Sequence, residues 1–175
     1  MRRQNTIMTT KKIISGRQHR SLLALAATLS GLVFFAGCDR TAQEATAAYG
    51  KGDYKTAYAA YSKLAKAGQP DAQFTLGLMY FEGTGPDKDF AEAVRWYRRA
   101  ANQGQVMAQN NLGAMYMEGK GVQQDFAEAA FWFTLVANAG DTHAKQLRDT
   151  LAIRLTAAEQ DAVRGRVQNW KPLQE

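Results

Sequence analysis

Few side chains in this 175-residue sequence have types and spacing suited to chemistry, and Cys38 stands out among them. It is the only cysteine and directly follows an apolar stretch over 21–37, so it has no disulfide partner within the chain. His143 has no nucleophile or metal-binding neighbour in sequence reach and reads as a solvated side chain at a helix start. Asp89 with Glu92, and Asp125 with Glu128, offer carboxylate pairs for acid–base work, but the same spacing is that of helix N-caps, which accounts for them. Trp96 and Trp132 recur at a fixed interval and read as core. Arg95, Arg98 and Arg99 read as a solvated helix face. No cluster with metal-ligand spacing is left once the caps are removed. The expectation is a chain with no catalytic residues, no metal and no cofactor.

The elements that must position these residues come from a repeat. Residues 72–107 and 108–143 align over 36 residues without a gap, sharing Leu76/Leu112, Gly77/Gly113, Tyr80/Tyr116, Gly83/Gly119, Gly85/Gly121, Asp89/Asp125, Glu92/Glu128 and Trp96/Trp132. Self-similarity at this period marks a stacked solenoid. Within the first copy, Ala72, Leu76, Met79, Tyr80 and Gly83 share one helical face, as do Phe90, Ala93, Val94, Trp96, Tyr97, Ala100 and Ala101. Each copy is therefore two amphipathic helices. Gly83 predicts a left-handed stop, and Asp89 and Asp125 each open a capping box with the Glu three residues on. Gly77 and Gly113, in mid-helix, cost about 1 kcal/mol each relative to Ala, for which close backbone approach between paired helices is the expected return.

The pattern LGxxYxxGxGxxxDxxEAxxW, with a trailing Ala-Ala-Asn-x-Gly, resembles the Sel-1-like repeat, a relative of the tetratricopeptide motif. The resemblance implies an all-α fold, a right-handed superhelix of antiparallel helix pairs, and an adaptor or scaffold role toward protein partners. Some cysteine-rich relatives are linked to β-lactam binding or hydrolysis. This chain lacks their cysteines and any Ser-x-x-Lys pattern, so an enzyme is the alternative and a structural subunit of an envelope assembly a third reading.

Tyr54, Ala57, Tyr61, Ala65 and Gly68 align with Phe90, Ala93, Tyr97, Ala101 and Gly104, which makes 41–71 an amino-terminal repeat whose first helix runs over 41–49. Residues 144–171 read as a terminal cap, with Thr156 and Glu159 forming a capping box that opens a helix to Asn169. The expected array has repeats over 41–71, 72–107, 108–143 and 144–171, about four antiparallel pairs in all. Leu135-Val136 stand where the first copy has Arg99-Ala100, so the second helix of that copy should be covered by the chain beyond His143.

The net charge of +6 invites a nucleic-acid reading that its distribution removes. Residues 1–38 hold six of the 22 basic residues and no acid, and the remaining basic residues equal the 16 acidic ones. A neutral remainder lacks the charge that phosphate binding needs. Those cations instead open a leader: a basic segment to Arg20 and the apolar stretch to Gly37 read as a secretory signal over 1–37, with Met8 an alternative start. Phe35-Ala36-Gly37-Cys38 resembles the bacterial lipobox, with Phe35 where the pattern usually has Leu. That resemblance implies lipidation of Cys38 and a periplasm-facing membrane anchor, and Asp39 resembles an inner-membrane retention residue. An uncleaved anchor or a plain secretory signal are the other readings.

In tetratricopeptide-type stacks the first helix of each pair lines a concave groove. Carried over, that surface comprises Phe74, Thr75, Leu78, Phe81 and Glu82 in one copy and Asn110, Asn111, Ala114, Met117 and Glu118 in the next. Phe74, Leu78 and Phe81 would form an apolar stripe outside the packing face, or Phe74 and Phe81 would pack against the preceding pair.

Overall fold

The structure, a computed structural model, describes residues 40–173, so the leader, Cys38 and Asp39 lie outside the described residues. The described residues form helices α1 (40–50), α2 (Tyr54–Lys66), α3 (Pro70–Glu82), α4 (Phe90–Asn102), α5 (Val106–Glu118), α6 (Phe126–Asn138), α7 (Thr142–Ala152) and α8 (Ala157–Asn169), with no strand among them. Consecutive helices from α2 to α7 pack against each other, which is the all-α solenoid expected.

Helix boundaries follow from local chemistry. Asp53, Asp89, Asp125 and Asp141 each accept from backbone N–H groups of the turn they open, donors that would otherwise have no partner. Pro70 occupies the first turn of α3, where a missing N–H costs nothing. Gly83 and Gly119 end α3 and α5 in the left-handed conformation, at φ 78° and 69°.

The two expected Asp–Glu capping boxes are only half made. The Asp89 and Asp125 N–H groups donate back to the carbonyls of Tyr80 and Tyr116, at 2.9 and 3.0 Å, rather than to the glutamates. These bonds tie each loop to the helix before it. Glu92 instead pairs with Arg95 at 2.8 Å. Glu128 accepts from Trp132 Nε1 at 3.0 Å and Arg166 at 2.7 Å. The reciprocal box does form at Thr156 and Glu159.

Within a pair, the mid-helix glycine seats an aromatic ring; at Gly77 the expected close backbone approach is also present, with the Ala93 carbonyl oxygen 3.3 Å from where a Cβ would stand, whereas at Gly113 the nearest atoms are those of the ring. A Cβ on Gly77 would stand 2.7 Å from Tyr97 Cδ1, and one on Gly113 3.1 Å from Phe133 Cε1. Tyr97 and Phe133 are accordingly buried, at 1% and 0% exposure. The periodic tryptophans divide: Trp132 is buried, while Trp96 is half-buried with the Arg99 guanidinium 4.8 Å from its ring centroid. The expectation that both tryptophans are core is corrected for Trp96, because the wholly inward position on α4 is the next residue.

Between pairs, the loop glycines lean on the second helix of the pair before. A Cβ on Gly121 would lie 2.3 Å from the Phe90 carbonyl oxygen, and one on Gly85 3.0 Å from that of Tyr54. Buried amides repeat the same period. Gln73 Nε2 donates to the Ala65 carbonyl at 3.2 Å, and Gln109 Nε2 to that of Ala101 at 3.1 Å.

The array does not end in the fourth antiparallel pair expected. Helix α8 turns back over α6 instead of pairing with α7, so α6 is covered from both sides. That coverage suits a helix whose buried residues include Phe131, Trp132, Phe133 and Val136. Beyond α8 the chain runs on to the end of α4, where Leu173 N–H donates to the Asn102 carbonyl at 2.8 Å and Pro172 packs beside Gly104.

Candidate functional site

The first-helix residues named from sequence are carried on α3 and α5, where they are spaced by the repeat. They are not a free apolar stripe. Phe74 packs on Tyr97, with ring centroids 5.8 Å apart, and Phe81 packs on Phe90 at 5.3 Å. Lys120 Nζ of the following loop sits 4.9 and 4.8 Å from the centroids of Phe81 and Phe90, joining two repeats by a cation–π contact. Leu78 is half-buried, and Ala114 and Met117 pack partly on the core.

The polar members keep their tips accessible. Thr75 Oγ1 donates to the Asp71 carbonyl one turn back. Glu82 is exposed and accepts from the Tyr49 hydroxyl at 3.3 Å; burial, and then the Glu82 charge, raise the Tyr49 pKa. Glu118 is exposed beside Lys120 at 3.9 Å. Asn110 and Asn111 are half-exposed. Asn111 approaches the Tyr97 hydroxyl without completing a hydrogen bond, and burial pushes that phenol up to about 12.

The titratable groups are mostly spoken for by structure. Asp89 and Asp125 cap helices, and Glu92 and Glu128 are held by the partners described above. His143 is exposed in the first turn of α7. Tyr80 is pushed up to about 12 by desolvation and by its 2.8 Å hydrogen bond to the Tyr58 hydroxyl, a stacking contact between pairs. Among the described residues no group of three or more His, Cys, Asp or Glu could hold a metal ion.

A second surface escaped the sequence reading. Between the outer face of α4 and the end of α8 lies a cleft of about 430 Å³ floored by Phe131 and Trp132, with Arg98 and Asn102 on one wall and Arg166 and Asn169 on the other. The arginines were visible in sequence, but nothing there placed α8 beside them.

The Sel1 repeat family model matches residues 70–105 and 106–141, the spans of the α3/α4 and α5/α6 pairs. The chain carries two Sel1 repeats. Its solved structural neighbours carry the same fold. One is a protective antigen present in uropathogenic Escherichia coli strains displaying an SLR fold, with TM-score 0.68 and 30% identity over 76% of this chain and 29% of that one. Another is a Sel1 repeat protein from Oxalobacter formigenes, with TM-score 0.50 and 42% identity over 51% of this chain and 37% of that one. This chain therefore spans well under half the length of either neighbour. No curated protein gives a significant match. Sel1-repeat helical domains typically serve as scaffolds for protein–protein interaction and are generally non-catalytic.

Proposed function

We propose that this Sel1-repeat protein is a lipid-anchored scaffold of the bacterial envelope, facing the periplasm and binding a protein partner along the first helices of its repeats. The observation that carries the binding surface is the pairing of Thr75 with Asn111, Leu78 with Ala114 and Glu82 with Glu118 at one repeat period on α3 and α5. These positions stay at least partly accessible while Leu76/Leu112 and Met79/Met115 are consumed by the core. Carboxylates, amides and small apolar groups in register suit a peptide, whose backbone needs hydrogen bonds and whose side chains need shallow seats.

The anchor rests on Cys38 and the apolar stretch before it. One acyl chain holds a protein only marginally, and two or three make the attachment long-lived. Among the described residues no helix is long and apolar enough to cross a membrane. Asp39 favours retention at the inner membrane.

Two measurements test the proposal separately. Cys38→Ser should abolish incorporation of labelled palmitate, and unchanged labelling would end the lipoprotein reading. Leu78→Glu combined with Asn111→Ala, with helicity checked by circular dichroism, should lose the partner bands seen on crosslinking in the native envelope. Retention of every band by the folded variant would move the binding surface elsewhere.

A further inference from the structure

We propose that the outer face of α4, together with the end of α8, forms a second docking site for an acidic peptide segment carrying bulky apolar side chains. The repeat itself isolates the feature. Arg95, Arg98 and Arg99 on α4 stand one period before Phe131, Thr134 and Leu135 on α6. On α6 this face is covered by α8, whereas on α4 the three arginines are exposed. One of two equivalent faces thus lies under a helix, whereas among the described residues the other meets only the tail at its end.

Charge and shape specify the occupant. Arg98 and Arg99 engage aromatic groups rather than carboxylates: Arg98 donates to the Tyr116 hydroxyl and Arg99 lies over Trp96. Arg166 faces Arg98 across the cleft, already paired with Glu128 and 4.1 Å from the Phe131 ring centroid, while Arg99 stands beside the cleft on the same helix. Lys171, exposed just past Trp170, adds positive charge to the same end. The two nearby carboxylates, Glu92 and Glu128, are each held by an arginine, so the net field is positive. Guanidiniums stacked on rings keep N–H donors for a carboxylate. Trp170, half-buried at the junction of α8 and the tail, offers a ring to an apolar side chain. The side-chain amides of Asn102 and Asn169 on opposite walls can meet a peptide backbone. An anionic membrane surface would use the arginines but neither the cleft nor its aromatic wall, so a peptide is the better fit.

The test uses the full-length protein in non-ionic detergent and a rhodamine-labelled peptide, EDFEDLED, followed by fluorescence anisotropy. Binding should exceed that of the amide counterpart QNFQNLQN by about tenfold or more and weaken steeply between low and high salt, as a charge-steered contact does. Arg98→Ala/Arg99→Ala should lower affinity by about tenfold, and so should Trp170→Ala. Arg99→Glu, at an exposed position, serves where the double variant melts early. Lys51→Ala/Lys55→Ala at the far end of the array should bind like the parent. Equal affinity for both peptides, or indifference to the arginine and Trp170 changes, would overturn the proposal. So would binding of phosphatidylglycerol vesicles through the same arginines without capture of the peptide. Because Leu78 and Asn111 lie on other helices, their variants should retain this peptide, so failure here and failure of the first-helix surface are distinguishable.

Discussion

Replacing Tyr97 with Phe should stabilise the domain. The Tyr97 ring is buried against Gly77, yet its hydroxyl is a buried polar atom with no hydrogen-bond partner. Phe133 fills the equivalent seat against Gly113 with no hydroxyl at all. Burying an unpartnered hydroxyl costs about 1–3 kcal/mol by mutational measures, while the ring's own burial is unchanged by Tyr97→Phe. A gain of about 1 kcal/mol is expected, which raises Tm by roughly 3–6 °C in a domain of this size. The alkaline limb gives a second readout. The folded phenol titrates at about 12 against an ordinary 10.0. It therefore holds its proton where the unfolded chain has lost it. That contribution is fully present below pH 10 and is lost as pH rises through about 12, so the parent should weaken across this window. In the variant the slope should lessen without vanishing, because Tyr80 is raised in the same way. Urea titrations at pH 7 and across pH 9–12 measure both effects. A variant less stable than the parent at pH 7, with an equally steep alkaline limb, would mean that the hydroxyl is satisfied and the argument wrong.

Gly77→Ala should destabilise by about 1–3 kcal/mol in urea even though Ala gains about 1 kcal/mol in helix propensity, since the new Cβ meets the Tyr97 ring at 2.7 Å; Gly113→Ala, with 3.1 Å to Phe133, should cost less. Trp132→Ala should cost roughly 3–5 kcal/mol in thermal and urea melts, whereas Trp96→Ala, half-buried, should cost less than half of that. Thr156→Ala should cost about 1 kcal/mol by removing a helix cap. Thr156 also holds the Glu159 carboxyl below the usual range, so the part of the loss that comes from the carboxylate's bonds should be present above the ordinary Glu pKa and fade as pH falls through the lowered one, while the backbone cap is indifferent to pH; a pH series of melts would follow this.

The helices and their punctuation were legible because each depends on a few adjacent residues. Gly83, Asp53 and the Thr156–Glu159 box act within one turn, and the structure follows them. Expectations failed where a group had a choice of partners at longer range. The Asp89 N–H can meet Glu92 or the Tyr80 carbonyl, and only the folded loop brings the second within 2.9 Å. Trp96 and Tyr97 are neighbours of similar apolar character, and a helix turns one of them inward by an angle that sequence period resolves poorly. The buried amides Gln73 and Gln109 recur at the repeat spacing, so a signal for them existed in the alignment of the copies. For Phe74 and Phe81 the sequence left an open stripe and packing on the preceding pair both standing; their cover comes instead from Tyr97 and Phe90 of their own pair and from Lys120 of the next repeat, side-chain contacts that pairing the helices does not specify.

The fold-back of α8 has a cause that runs through the differences between the copies rather than their likeness. In the first repeat Glu92 finds its cation at Arg95, one turn along the same helix. One period later Arg95 has become Phe131, so Glu128 has no arginine at that spacing. Its side chain is not needed by Asp125 either, whose N–H is bonded to Tyr116. Glu128 meets Arg166 of α8 instead, and the same guanidinium lies over the Phe131 ring that replaced the local partner. An ion pair between groups this exposed contributes little by itself. Apolar burial contributes more: with Phe131 and Leu135 in place of Arg95 and Arg99, α6 presents a face that water would oppose, and covering it with Val163 and Val167 of α8 removes that area from solvent. A single helical position, changed from arginine to phenylalanine between copies, thus withdraws a local ion pair, creates an apolar seat and leaves a carboxylate to orient the helix that fills it. Had α6 kept the arginines of α4, α8 would have met a positive ridge with its own Arg166, and stacking on α7 would have been the only apolar cover left to it.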